Sequence, residues 1–263
     1  MKKPSDAEGI EQLSLCRFDG RRLSGAAVDV VREMLLEVFV DGSLVVTIAC
    51  AGIHLRELGA GFAKQEGLIE SAGDILEMTF SSDRVDIGTR GGKGRAPSIA
   101  TGKTIASSGS RGSRSFQAEG KKRAALQACP KLDGETVLRL MDALLEATVI
   151  HERTRGTHCS ALAGPQGILA AREDIGRHNT IDMLCGWALL EGVDLADKIL
   201  LTTGRVSSEI VSKAWRMGVP VIVSHSAVTS RAVMMAESLG IVIIGYVRGG
   251  TFTIYAGREA IKA

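Results

Sequence analysis

The stretch Arg172-Glu173-Asp174-Ile175-Gly176-Arg177-His178-Asn179 concentrates charge, an imidazole, an amide and a glycine between an apolar run and an apolar-faced helix. That composition is unsuited to a core and dense for a turn, so it reads as a ligand-facing loop at a strand-to-helix junction. Arg172 and Arg177 are suited to phosphate or carboxylate, and Glu173 and Asp174 to holding those arginines or accepting from a base. A solvated turn that opens a capped helix is the alternative. Three further apolar runs empty into small polar segments: Thr202-Thr203-Gly204-Arg205-Val206-Ser207-Ser208-Glu209, Ser224-His225-Ser226-Ala227-Val228-Thr229-Ser230 and Tyr246-Val247-Arg248-Gly249-Gly250-Thr251. Backbone N–H groups at helix starts, with Gly and Ser around them, favour a bound anion. Arg205 and Arg248 add bidentate donors. Ordinary capping by Ser207 and Thr229 accounts for the hydroxyls but not for arginine at two separate ends. His178 and His225, at element ends, are candidates for ligand contact or for plain hydrogen-bonded structure.

The elements that must position these residues follow from apolar spacing. Leu35 to Val40 and Leu44 to Ala49 flank Asp41-Gly42, a hairpin signal. Leu55, Leu58, Gly59 and Phe62 mark a helix face that stops at Gly67, and short strands are expected near 75–80 and 84–87. From Asp133, an N-cap, the order is α-β-β-α-β-α-β-α-β(-β). Its strands fall near 159–163, 168–171, 198–202, 219–224, 241–247 and 251–255. Strands alternating with short crossover helices imply a mostly parallel sheet with helices on both faces, its first two strands antiparallel. Ligands then bind beyond the carboxyl ends of the strands, where the polar segments lie. Residues 88–123 differ: Gly- and Ser-rich, with nine Lys or Arg against the single acid Glu119. They read as a mobile basic loop between a domain spanning 1–87 and one spanning 124–263, either solvated or meeting a phosphate-bearing ligand or acidic partner.

Composition narrows the function. The chain has 263 residues, ample for a packed core, and a net charge of +2, so no global field draws nucleic acid. No apolar run reaches membrane-spanning length, and the N-terminal residues lack the apolar stretch of a signal peptide. Five widely spaced cysteines (Cys16, Cys50, Cys129, Cys159, Cys185) with no CxxC indicate reduced thiols in a cytoplasm, not a disulfide frame or structural zinc. Thr101-Gly102-Lys103-Thr104 lacks the first glycine of a phosphate loop, which is Pro97, and Arg155 stands where His151-Glu152 would need a second zinc histidine. Cys159 follows His158 on a strand, so the two side chains point to opposite faces and a buried structural Cys159 is expected.

The strand order resembles the cytidine deaminase-like fold, implying a three-layer C-terminal domain beside a smaller α+β N-terminal domain. The paired cysteines of that fold's zinc signature are absent, so zinc-activated hydroxide and nucleotide deamination are not expected. A closer resemblance is carried by Arg172 to Asn179 with Asp182, by Gly204 to Glu209, by Ser226 to Val233 and by Gly245 to Gly249. In the first half it is carried by Val40-Asp41-Gly42, Cys50, Leu58 to Phe62 and Glu66 to Ile69. These segments resemble the FdhD/NarQ family of formate dehydrogenase accessory sulfurtransferases over nearly the whole chain from Arg32.

That resemblance implies sulfur taken as a cysteine persulfide from a cysteine desulfurase. The sulfur passes to the molybdenum (or tungsten) bis-guanine-dinucleotide cofactor before it enters formate dehydrogenase. It implies cofactor contacts at Tyr246, Val247, Arg248, Gly249, Gly250 and Thr251, with Gly204, Arg205, Arg177 and His178 suited to the phosphates and guanines. It also implies a homodimer, and a persulfide on a CxxC loop matching Ser108-Gly109-Ser110-Arg111. Here Ser108 and Arg111 stand where the cysteines belong, and a serine hydroxyl holds no persulfide. Three readings stay open: a non-catalytic chaperone that binds and delivers the cofactor, transfer through another thiol such as Cys159 or Cys50, and a divergent member with a different partner enzyme.

Overall fold

The computed structural model describes residues 9–91, 103–105 and 132–262. Ser108, Arg111, Cys129 and most of the basic 88–123 stretch lie outside them. In the first half, β3 (Met34–Val40) and β4 (Ser43–Cys50) form the expected hairpin. Its turn is Asp41-Gly42, at φ 49° and 77°, the paired left-handed geometry that suits a two-residue turn between twisted strands. With β5 (Ile75–Phe80), β6 (Arg84–Thr89) and β7 (Lys103–Ile105) they build a sheet of order β5-β6-β3-β4-β7. The strand β7 falls inside the stretch read from sequence as loop. Helix α1 (Leu55–Gln65) buries Leu58, Phe62 and Ala63 against Leu36, Val38, Ile48, Val85 and Ile87 of this sheet.

Ahead of that sheet stands a ribbon not foreseen from the sequence: β1 (Ile10–Phe18) paired antiparallel with β2 (Leu23–Val31). Asp19 closes its turn by accepting from the backbone N–H groups of Arg21 and Arg22 at 2.9 and 3.0 Å. The ribbon leaves Leu13, Leu15, Phe18 and Leu23 exposed. It is anchored at its base, where Ile10 and Val31 pack on Ala51, Ile53 and Ile150.

The second half is a six-stranded sheet of order β10-β9-β11-β12-β13-β14. Its strands are β9 (His158–Gly164), β10 (Gly167–Asp174), β11 (Ile199–Thr202), β12 (Val221–Ser224), β13 (Val242–Arg248) and β14 (Thr251–Ala256). Helices α4 (Arg177–Glu191), α5 (Ser208–Met217) and α6 (Ser230–Leu239) cover one face, packing on Leu162, Leu200, Ile222 and Ile243. Helix α2 (Gly134–Glu146), preceded by the two-residue strand β8 (Leu132–Asp133) and followed by the short helix α3 (Val149–Thr154), covers the other, on Ala161, Ile199, Leu201, Val223 and Ile244. Asp133 caps α2 as expected, accepting from Thr136 N at 2.7 Å.

The sheet is mixed rather than mostly parallel. Only β11–β12 and β12–β13 run parallel; the other three neighbours are antiparallel. The β10–α4–β11 crossover steps over β9, so β10 and β11 share a direction and β9 opposes both. At the far edge the Gly249-Gly250 turn, φ 59° and 73°, folds β14 back on β13.

Helices α1 and α4 join the two halves. A Cβ on Gly61 would lie 1.7 Å from Asp182 O, and one on Gly186 would lie 1.9 Å from Glu57 O. The two helix backbones therefore touch where they cross, closer than any pair separated by side chains. Buried Asp182, on that crossing, also accepts from Lys213 of α5.

Candidate functional site

The stretch read as a ligand-facing loop divides at Gly176. Its first part is inward-facing structure. Arg172 binds Glu57 of α1 through both ends of its guanidinium, with Nη2 to Oε1 at 2.7 Å. Among the described residues Glu173 holds no arginine; it accepts from the backbone N–H groups of Ile150 and His151, both at 2.8 Å, and from the Thr157 hydroxyl at 3.0 Å. Asp174 accepts from Ala51 N at 2.8 Å, Gly176 N at 2.9 Å and Asn179 Nδ2 at 2.7 Å. Asn179 also donates to Ala49 O at 2.8 Å. These residues lace the end of β10 to the end of β4, to α1 and to the backbone at Ile150 and His151. Burial raises the Asp174 carboxyl to about 6, against the lowering effect of its three donors.

Arg177 and His178, the first two residues of α4, belong to the site. Gly204 lets Arg177 approach: a Cβ there would meet Arg177 Cβ at 3.1 Å. Burial lowers the pKa of the Arg177 guanidinium, and the Arg205 charge lowers it further, while Glu209 opposes both. Arg205 is exposed. His178 Nε2 lies 3.1 Å from Glu209 Oε2, off the ring N–H direction of a well-aligned hydrogen bond. Burial is the main cause that lowers the His178 pKa, with Glu209 acting the other way. His158 is lowered by burial and by Arg177, and His225 by burial and by Arg248.

Most of the strand-end hydroxyls are committed to holding the loops. Ser160 Oγ lies 2.8 Å from Thr180 Oγ1 and 3.0 Å from Thr202 Oγ1, which accepts from Gly204 N at 3.1 Å. Ser224 donates to Gly204 O and accepts from Ser226 N, each at 2.9 Å. Thr229 caps α6 by accepting from Ala232 N. Ser207, expected to cap α5, makes no side-chain cap bond. Its Oγ and the Arg177 Nε are buried polar atoms with no hydrogen-bond partner among the described residues. Both lie where α4 and α5 begin, and a buried group of this kind calls for a partner.

The end of β13 forms the other wall. Tyr246 adopts φ 57°, an uncommon conformation for a large residue, while its N–H donates to Ser226 O at 2.9 Å. The Arg248 guanidinium lies 4.4 Å from the Tyr246 ring centre, and its Nε donates to His225 O at 3.1 Å. Gly249, Gly250 and Thr251 are exposed. Val247 departs from the expectation: its side chain is buried in the core beneath α2, so it offers only backbone. Sequence reading gave Glu209 no role, although its place in a run of Gly, Arg and Ser was a signal.

Among the described residues, no three His, Cys, Asp or Glu side chains converge as metal ligands, and no helix is long and apolar enough to cross a membrane. Cys50, Cys159 and Cys185 are buried and Cys16 is exposed. Burial pushes the Cys50 and Cys185 thiols up to about 12, and the Cys159 thiol higher still. Neither Cys50 nor Cys159 therefore suits the thiolate chemistry considered for them. A cavity of about 590 Å³ lies elsewhere, against Arg56, Phe80 and Trp187 near the far end of α4.

Comparison with known proteins matches residues 31–262 to the FdhD/NarQ family. The chain is 35% identical over 239 residues to the protein named sulfur carrier protein FdhD of Bacillus pumilus, covering 89% of this chain and 90% of that one. It is 34% identical over 254 residues to the protein of the same name from Bacillus subtilis, covering 94% and 95%. Among solved structures, the "putative formate dehydrogenase accessory protein" of Desulfotalea psychrophila superposes with a TM-score of 0.82 at 21% identity, over 97% of this chain and 100% of that one.

Proposed function

The chain belongs to the FdhD/NarQ family, and from that premise we propose that it is an accessory protein of formate dehydrogenase. In this reading it binds a molybdenum bis-guanine-dinucleotide cofactor as substrate at the carboxyl ends of β11, β12 and β13. The sulfur-carrier names of its relatives support the role. The observation that carries the site is the pair of orphaned polar atoms, Arg177 Nε and Ser207 Oγ, beside the exposed Arg205. Two helix starts, two arginines and unsatisfied buried donors suit a diphosphate. The stacked Arg248–Tyr246 pair suits a base or a second phosphate. Lowered histidine pKa values leave His158, His178 and His225 neutral near pH 7, so the positive charge of the site rests on its arginines. The three-layer half is read as a deaminase-like scaffold working in a cytoplasmic homodimer, with sulfur supplied by a cysteine desulfurase.

A second reading is favoured by the thiols. Ser108 stands where the family resemblance puts the persulfide, and the described cysteines apart from Cys16 are buried with raised pKa values. Such a protein binds and delivers the cofactor without carrying sulfur itself. Titration calorimetry with GDP tests the site common to both: Arg205→Ala and Arg248→Ala should each weaken binding by about 1–3 kcal/mol, the worth of a charge-assisted contact. Unchanged affinity in both variants refutes it. Incubation with a cysteine desulfurase and sulfur-35 cysteine separates the two readings, since label on a mapped cysteine requires sulfur carriage and an unlabelled chain requires delivery alone.

A further inference from the structure

All but the last residue of the β1–β2 ribbon precede residues 31–262, the part matched to the family, and the strand-end site makes no use of it. Cross-strand partners share a face, so the ribbon's register sorts its side chains into two sets. One set turns towards the body at its base: Ile10 and Val31 pack on Ala51, Ile53 and Ile150, and Asp29 holds Arg153 of α3 at 2.8 Å. The other set forms a strip with Leu13, Leu15, Ala26, Val28 and Val30 in its apolar middle, Glu11 at the base and Arg17 near the tip. Leu13 and Leu15 on it are 42% and 43% exposed. A two-stranded ribbon without cover is marginal in water, so the strip calls for an apolar partner carrying the same two charges in reverse order.

We propose that this strip is an interface between two copies of the chain, packed face to face with their ribbons antiparallel; of the reading above it rests on the homodimer alone. In that arrangement Leu13 covers the partner's Leu15, Val28 covers the partner's Ala26, and Glu11 meets the partner's Arg17, each contact being repeated by the two-fold axis. A parallel arrangement would instead set like charges on one another at both ends. Glu11 already holds Arg32 at 3.1 Å, but its side chain stays 52% exposed, and a carboxylate accepts from a second guanidinium. Arg17 has no ion-pair partner among the described residues. The ribbon by itself is too small: nine residues at about 3.4 Å each and a width of about 10 Å give about 300 Å² per copy, against about 800 Å² in a stable complex. The same register supplies more. It carries the partner's Asp19 over Gly9, and Gly9 and Arg32 line the cavity of about 590 Å³ that Phe80 and Trp187 wall. The partner's hairpin turn thus lands at the mouth of that cavity and adds to the contact.

The test is sedimentation velocity of the full chain over a series of concentrations. Wild type should dimerise. Glu11→Lys and Arg17→Glu each set like charges together at both ends of the strip, and each should weaken the dimer by about tenfold. Mixed in equal amounts, the two variants should dimerise with one another at close to wild-type affinity, because the mixed pair restores opposite charges at both ends. Ala27→Glu, on the other face of the ribbon, should leave the dimer intact. A wild-type dimer that both charge variants leave unchanged overturns the proposed surface while the homodimer stands. So does a mixture that fails to recover, or a dimer lost in Ala27→Glu. A monomeric wild type overturns the homodimer and this interface together, and leaves the strip to a different protein. None of these outcomes bears on the cofactor site, which the GDP titration judges by itself.

Discussion

Replacing Gly61 by alanine tests the joint on which the whole site is mounted. The added methyl would sit 1.7 Å from Asp182 O and 2.8 Å from Gly186 N. An ordinary carbon–oxygen contact is about 3.3 Å, so α1 and α4 would have to separate by more than an ångström. The obstructing atoms are helix backbone and cannot rotate aside. Overpacking against side chains costs about 1–3 kcal/mol; against backbone the loss should exceed about 3 kcal/mol, a large share of the roughly 5–15 kcal/mol that holds a domain folded. Two other glycines calibrate the scale. A Cβ on Gly59 meets Val85 Cγ1 at 2.7 Å, a side chain with some freedom to move, so Gly59→Ala should cost about 1–3 kcal/mol. At Gly134 the nearest atoms belong to the Phe252 ring at 3.6 Å, an ordinary contact, so Gly134→Ala at the start of α2 should be neutral or stabilise by up to about 1 kcal/mol. Gly61→Ala and Gly186→Ala should not add, because the first already parts the helices that the second would part. Urea denaturation followed by circular dichroism gives the free energies of the four single variants and of the Gly61→Ala/Gly186→Ala double variant. A loss below 1 kcal/mol in Gly61→Ala, or an order in which Gly59→Ala is the worse, would refute the close crossing.

Two further outcomes follow from burial and charge. In the native protein, brief alkylation followed by peptide mapping should modify Cys16 and spare Cys50, Cys159 and Cys185, which react only on denaturation; fast labelling of Cys159 would contradict its packing. Asp174 binds its proton more tightly when folded, at about 6 against a usual 3.8, so its contribution is fully present below about pH 4 and is lost as pH rises through 6. That contribution is on the order of 3 kcal/mol. It should appear as wild-type stability falling across that window relative to Asp174→Asn, measured by urea denaturation at each pH, and parallel pH profiles would dispose of it.

Local signals proved dependable where neighbours in sequence are neighbours in space. Asp41-Gly42 became the hairpin turn, Asp133 the cap of α2, and Gly218 and Gly240 the left-handed ends of α5 and α6. The β1–β2 ribbon went unread although Asp19-Gly20 between Phe18 and Leu23 carried the same kind of signal; a ribbon exposed on both faces lacks the alternation that marks a half-buried strand. The charge density at Arg172, Glu173 and Asp174 suggests ligand contact or mutual pairing, because charge density on its own does not say what neutralises it. Their partners are Glu57, the backbone at Ile150 and the backbone at Ala51.

The order of the main elements from Asp133 onward, the three-layer half and the family were thus determined by the sequence itself, because periodicity, caps, turns and long ordered motifs are local properties of the chain. Which charges face inward was decided by tertiary structure alone. So were the antiparallel placement of β9 between β10 and β11, the backbone contact of Gly61 with α4, and the meeting of Glu209 with His178 and Arg177. Each depends on segments far apart along the chain, and only packing chooses among the partners that chemistry would allow.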